Sequence, residues 1–128
     1  MKEYLWVGLG GGLGSVLRHA LSVFSLHRWG MAFPYGTLLV NVTGSFVIGL
    51  FAVLCGPGGR WEVPLPFWQW AVIGFLGGFT TFSSFSLQTL ELVHRGEPWA
   101  AAGNVGLNLF GCLLAVAGGF WLGLALNR

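Results

Sequence analysis

Charge is what this chain has least of. Only ten of its 128 residues are charged, six Lys+Arg and four Asp+Glu, whereas a soluble domain normally needs about a quarter of its residues charged to cover its surface. That scarcity excludes an ordinary soluble enzyme or nucleic-acid module, and no basic cluster exists to meet a phosphate backbone. Cysteine is nearly as scarce. Cys55 and Cys112 stand alone in apolar context, without CxxC or metal-ligand spacing, so they support neither a disulfide framework nor a metal cluster. Asp and Glu are missing from the centres of the apolar spans, which removes the carboxylate relay expected of a proton-coupled pump; Glu91 lies near the end of its span. His19, His27 and His94 also lie near segment ends, as interfacial residues do. The chain is therefore not expected to be an enzyme.

Apolar length is abundant. Residues Trp29 to Gly59, Val63 to Leu90 and Pro98 to Asn127 carry no charge, and Tyr4 to Leu26 is interrupted only by Arg18 and His19. Each exceeds the roughly 20 residues of helix that cross a bilayer. Lys2 followed by an apolar run resembles the start of a secretory signal, yet further apolar segments follow it instead of a polar mature domain. The reading is a single four-helix transmembrane domain over residues 1–128, with spans at about 4–26, 35–54, 67–94 and 99–126. Pro34, the Gly-Pro-Gly-Gly of residues 56–59 and Gly96 with Pro98 punctuate the connections. Trp6, Trp29, Trp61, Trp68, Trp70, Trp99 and Trp121 mostly fall near span ends, where amphipathic rings favour the headgroup region.

Twenty-two glycines would weaken soluble helices, but between membrane helices small residues let backbones approach. Gly8 and Gly12, and Gly10 and Gly14, are each four apart and present bare backbone on the first span. The run does not meet GxGxxG in register, and no strand or acidic partner frames it, so tight helix packing is expected in place of a dinucleotide site. Four spans put Lys2, Arg60 and Arg128 on one side against Arg28 and Arg95 on the other, with Arg18 towards that second end. Since Lys/Arg asymmetry sets orientation, so even a split predicts insertion both ways round, which permits an antiparallel homodimer.

Neutral polar residues inside the spans are the functional candidates, because hydrocarbon offers them no partner. Thr37, Asn41 and Ser45 recur every four residues in span two, and Asn104, Asn108 and Cys112 do so in span four; together they suggest a polar track. Thr43 and Ser45 are expected to serve as interhelical contacts. Residues 74–86 of span three, Gly-Phe-Leu-Gly-Gly-Phe-Thr-Thr-Phe-Ser-Ser-Phe-Ser, pair glycines with threonines that form helix poorly, predicting a mid-membrane break. Carbonyls freed at such a break must be satisfied by protein, water or an ion, and two copies could ring a monovalent cation. Phe79, Phe82 and Phe85 recur every three residues. Phe79 reads as core; rings at the other two positions could present their partly positive edges to a dehydrated anion.

Residues 36–45 (Gly-Thr-Leu-Leu-Val-Asn-Val-Thr-Gly-Ser) and 74–86, preceded by Gly-Ser-Val-Leu-Arg-His at 14–19, resemble the Fluc (CrcB) family of fluoride channels over essentially the whole chain. The resemblance implies a passive, fluoride-selective channel in the cytoplasmic (inner) membrane that protects the cell from fluoride, built as an antiparallel dual-topology homodimer with two pores. It implies a fluoride path at Asn41, Phe82 and Phe85, with Ser83 and Thr37 in its polar neighbourhood, and Arg18 at a vestibule. It also implies a structural sodium ion at the dimer centre, held by the backbone carbonyls of Gly77 and Thr80. The family's hydroxyl-bearing track on span four is replaced here by Asn104, Asn108 and Cys112, and Gln88 stands where many members carry glutamate. Amides can donate to an anion and a thiol does so weakly, so Asn108 and Cys112 join the candidate path. A small multidrug-resistance type transporter is the alternative, but it would need a carboxylate embedded in span one, and Tyr4 to Leu26 has none.

Overall fold

The structure, a computed structural model, describes residues 1–128 and is all-helical. Helix α1 runs Lys2–Trp29 and α2 runs Tyr35–Cys55. The third apolar run starts as α3 (Leu65–Trp68), widens into a π-helix (Gln69–Leu76) and closes with one turn, α4 (Gly77–Phe79). Helix α5 (Phe82–His94) and helix α6 (Pro98–Leu126) complete the chain. Three segments are long and apolar enough to cross a membrane: Tyr35–Cys55, Leu65–His94 and Pro98–Leu126. The remaining expected span, at about 4–26, lies within α1. Helix α1 has the length, 28 residues, but its glycines, serines, Arg18 and His19 dilute its hydropathy below that of the others.

The connections sort to two ends. Arg60 of the α2–α3 connection donates its backbone N–H to Asn127 Oδ1 at 2.6 Å and its guanidinium to the Leu126 carbonyl at 3.3 Å, tying that connection to the C-terminus. At the other end Arg95, after α5, reaches the Met31 carbonyl between α1 and α2 at 3.5 Å.

Bare backbone holds the helices together. A Cβ on Gly10 would collide with the Trp70 carbonyl, and one on Gly14 with the Phe75 carbonyl; facing them, a Cβ on Gly74 would lie 2.7 Å from the Val7 carbonyl. Helix α1 and the π-helix thus touch main chain to main chain. Gly8 and Gly12 meet nothing within 4 Å, so only one of the two glycine pairs read from the sequence packs. Helices α2 and α6, the most extensively paired elements, use the same device: Gly49 abuts the Val116 carbonyl and Gly119 the Phe46 carbonyl. Such close approach supplies dispersion contacts where lipid offers no hydrophobic drive.

Helical dihedrals stop after Phe79. Thr80 (φ −86°, ψ 159°) and Thr81 (φ −154°, ψ 119°) are extended, and α5 restarts with Thr81 as its N-cap, whose Oγ1 accepts the Ser84 N–H at 3.2 Å. Two glycines followed by two β-branched residues favour this local choice, and a threonine hydroxyl is a good acceptor for first-turn amides.

Candidate functional site: an amide-lined groove beside the interrupted helix

Asn41 projects from the second turn of α2 at the extended pair. Its Oδ1 accepts the Thr81 N–H at 2.8 Å and its Nδ2 donates to the Thr81 carbonyl at 3.1 Å, so the side-chain amide pairs with the backbone as a neighbouring strand would. In an unbroken helix that Thr81 N–H would donate to the Gly77 carbonyl four residues earlier. Asn41 therefore satisfies one orphan amide of the interruption and leaves the Gly77 carbonyl without its helical donor.

A chain of neutral hydrogen bonds continues from Asn41 into α6 and back to α5. Asn41 Nδ2 also donates to Asn108 Oδ1 at 3.0 Å. Asn108 Nδ2 donates to the carbonyl and to Oδ1 of Asn104, both at 3.0 Å. Asn104 Nδ2 donates to Thr89 Oγ1 at 2.8 Å, and Thr89 Oγ1 to the Phe85 carbonyl at 2.8 Å. Asn104 is fully buried and Asn108 nearly so. In apolar surroundings a satisfied chain of this kind fixes its helices, whereas a broken one strands several polar groups.

A groove of about 640 Å³ runs along this arrangement. It gathers Asn41 from α2, Gly77, Thr80, Phe82 and Phe85 from the interrupted segment, and Asn108 and Cys112 from α6, three stretches remote in sequence. The rings of Phe82 and Phe85 lie 5.3 Å apart with their planes at 58°, so one edge is turned towards the other face. Phe82 is 78% exposed, while Phe79 is buried and stacked parallel on Phe75 at 6.0 Å.

Three sequence candidates sit elsewhere. Thr37 is buried one turn before Asn41 and lines a different cavity. Ser83 is exposed beside Thr81, with 3.3 Å between their hydroxyl oxygens, outside the groove. Arg18 reaches the interruption itself, where its Nη1 donates to the Thr80 carbonyl at 3.4 Å. Both protons of Asn41 Nδ2 are committed to protein acceptors in this conformation, so its amide acts first as a clamp on the backbone. Thr81 and Thr89 were not singled out for the site by the sequence, whereas Ser45, read as part of the span-two polar track and as an interhelical contact, lines the groove. The Gly-Gly-Phe-Thr-Thr order hints at Thr81, but its partner Asn41 lies 40 residues away.

No three His, Cys, Asp or Glu side chains converge on a metal position. A cation here would have to be held by neutral oxygens, and the carbonyls at the interruption fit that requirement: Gly77 has lost its helical donor, and the Thr80 oxygen has a second lone pair beside the one facing Arg18. One chain supplies too few of them to enclose an ion.

An all-helical integral membrane protein, with a neutral polar groove bordered by paired phenylalanines, is the class that fold and site define. The chain belongs to the family described as CrcB-like protein, Camphor Resistance (CrcB), which it matches over residues 5–120. It is 53% identical over 123 residues to the fluoride-specific ion channel FluC of Opitutus terrae, covering 96% of this chain and 90% of that one. The corresponding channel of Rhodospirillum rubrum is 50% identical over 120 residues, covering 94% and 90% of the two chains. That of Methylocella silvestris is 46% identical over 126 residues, covering 98% and 96%.

Proposed function

We propose that this protein is a fluoride channel of the cytoplasmic membrane that lets fluoride leave the cell passively. The observation that carries the reading is the groove itself: neutral donors and two aromatic edges around Asn41, in a chain whose family relatives are named fluoride-specific channels. Fluoride is small and strongly hydrated, so a selective path must replace its water with placed donors yet release the ion again. Hydroxyls, amides and ring edges suit that balance, whereas a lysine would trap the ion. Phe82, Phe85, Asn41, Asn108 and Cys112 line the path, with Thr37 and Ser83 beyond it, and Arg18 draws anions towards the interruption.

The functional unit is an antiparallel, dual-topology homodimer of four-span subunits with two pores, each chain forming one domain. An exposed Phe82 and the openness of the groove support a second copy, and the near-even split of Lys and Arg between the two ends supports both orientations. With α1 included, four helices cross the bilayer, and the Thr80–Thr81 interruption lies within it. In the dimer the Gly77 and Thr80 carbonyls of both chains would hold a sodium ion, which supplies a fixed positive charge where two interruptions meet. The test is fluoride efflux from liposomes containing the purified protein, followed with a fluoride electrode. Rapid fluoride release with negligible chloride release is expected; no fluoride release, or equal chloride release, overturns the assignment.

A further inference from the structure

In this conformation the two groove amides have no proton left for an anion. Asn41 Nδ2 gives its protons to the Thr81 carbonyl and Asn108 Oδ1, and Asn108 Nδ2 gives its own to the carbonyl and Oδ1 of Asn104. A path that strips water from a small anion must offer donors in exchange.

Backbone groups decide which way the chain of hydrogen bonds points. At one end Thr81 presents an N–H and a carbonyl side by side, so Asn41 offers Oδ1 to the first and Nδ2 to the second. At the other end the Phe85 carbonyl can only accept. The Thr89 hydroxyl therefore donates to it at 2.8 Å and takes the Asn104 amide on its oxygen, also at 2.8 Å. Between these anchors every proton is directed from Asn41 through Asn108 and Asn104 to Thr89. Asn108 consequently turns its oxygen, not its NH₂, towards Asn41.

One concerted change inverts the chain without stranding a polar group. The Thr89 proton swings from the Phe85 carbonyl to Asn104 Oδ1, and the amides of Asn104 and Asn108 turn over, so that Asn104 Nδ2 donates to Asn108 Oδ1. The Phe85 and Asn104 carbonyls lie inside α5 and α6 and keep their helical donors. Asn41 stays clamped to Thr81. Its second proton then faces the Asn108 NH₂, an arrangement that is unfavourable unless an anion lies between them. The resting chain from Asn41 to the Phe85 carbonyl holds four hydrogen bonds, and the inverted chain holds as many only when an anion accepts two.

We infer that Asn104 and Thr89 are positioning residues for the ion path, which let the Asn108 amide turn over when a small anion of the fluoride class enters, so that Asn41 and Asn108 each give it one N–H. Neither residue lines the groove; Asn104 is fully buried and Thr89 half-buried behind it. Thr89 can close the chain in both senses because a hydroxyl donates and accepts alike. Return to the resting chain supplies Asn41 with an internal acceptor in place of the anion, which keeps binding weak enough for release.

This inference rests on the fluoride reading, and the experiment separates the two. Side-chain nitrogen-15 amide resonances of Asn41, Asn104 and Asn108 are followed in the purified wild type during titration with sodium fluoride, at an ionic strength held constant with sodium gluconate. All three should move with one midpoint, Asn104 included although the ion does not touch it. A titration in which Asn104 stays still overturns the proposal, whether or not the other two move. Asn104→Leu provides a second reading. It keeps the backbone carbonyl that Asn108 Nδ2 uses at rest, but leaves Asn108 Oδ1 without a donor once turned. The half-saturating fluoride concentration for efflux from liposomes should rise about fivefold, the equivalent of one neutral hydrogen bond; an unchanged value overturns the proposal. Should Asn104→Leu not fold, the wild-type titration decides alone. If the wild type passes no fluoride, the channel reading fails by itself, and the amide chain is still judged by whether Asn104 moves with Asn41 and Asn108.

Discussion

Replacing Asn41 with aspartate changes one NH₂ for an oxygen at constant shape. The new carboxylate can still accept the Thr81 N–H that Asn41 Oδ1 holds at 2.8 Å, but it has no proton for the Thr81 carbonyl at 3.1 Å or for Asn108 Oδ1 at 3.0 Å. Two acceptors lose their donor and face a third oxygen. Each stranded group costs about 1–3 kcal/mol where water is excluded, although membrane hydrogen bonds measured by double-mutant cycles average only about 0.6 kcal/mol. The clamp therefore weakens by about 1–6 kcal/mol in all. The electrostatic effect on the ion is of the same order: a carboxylate about 5 Å from a fluoride in the groove repels it by about 3 kcal/mol at an effective dielectric of 20. That alone lowers ion occupancy more than a hundredfold, at about 1.4 kcal/mol per factor of ten. Fluoride efflux from liposomes holding Asn41→Asp should fall by at least that factor, in protein that elutes from a sizing column like the wild type. Efflux within about threefold of wild type, in equally folded protein, would refute both the clamp and the place of Asn41 beside the ion.

Other perturbations probe the remaining parts. Phe82→Leu and Phe85→Leu keep apolar volume but remove the ring edges, so fluoride efflux should drop about tenfold or more while thermal stability in detergent changes little; this assumes an aromatic edge contributes about 1 kcal/mol or somewhat more to the ion. Gly14→Val forces a side chain into the Phe75 carbonyl and should cost about 3 kcal/mol or prevent folding, whereas Gly12→Ala meets nothing and should melt like the wild type. A thiol-reactive methanethiosulfonate should block efflux by adding bulk at Cys112 in the groove, and Cys112→Ser should abolish the block; persistence of the block in that variant would remove Cys112 from the path.

Much of this molecule could be read from which residues stand near one another in sequence. The apolar runs delimit α2, the Leu65–His94 segment and α6 because hydrocarbon thickness sets their length. Helix α1 is harder to read, since packing main chain to main chain against the π-helix requires glycines that dilute its hydropathy. The four-residue spacing of Asn104 and Asn108 made them visible as an internal ladder, and the side-chain bond between them follows from that spacing. The destination of their protons was not legible: Asn41 pairs with Thr81 and Asn108 across separations of 40 and 67 residues, and only the folded chain decides which amide faces which carbonyl. Arg18 shows the same limit. The family resemblance implies a vestibule for it, while its side chain reaches the Thr80 carbonyl 62 residues away. Thr37 reads as a continuation of the Asn41 face, yet it opens on the other cavity because α2 begins there and Gly36 lets α1 come close.

The central claim is that a neutral groove around Asn41 conducts fluoride selectively and without an energy source. The direct measurement is initial efflux from fluoride-loaded and chloride-loaded liposomes containing the wild-type protein, with potassium and valinomycin setting the voltage and no proton gradient. Fluoride should leave rapidly and in proportion to its own gradient and the voltage, with chloride far slower. Fluoride release that depends on an imposed proton gradient, or chloride release at the same rate, would contradict the account.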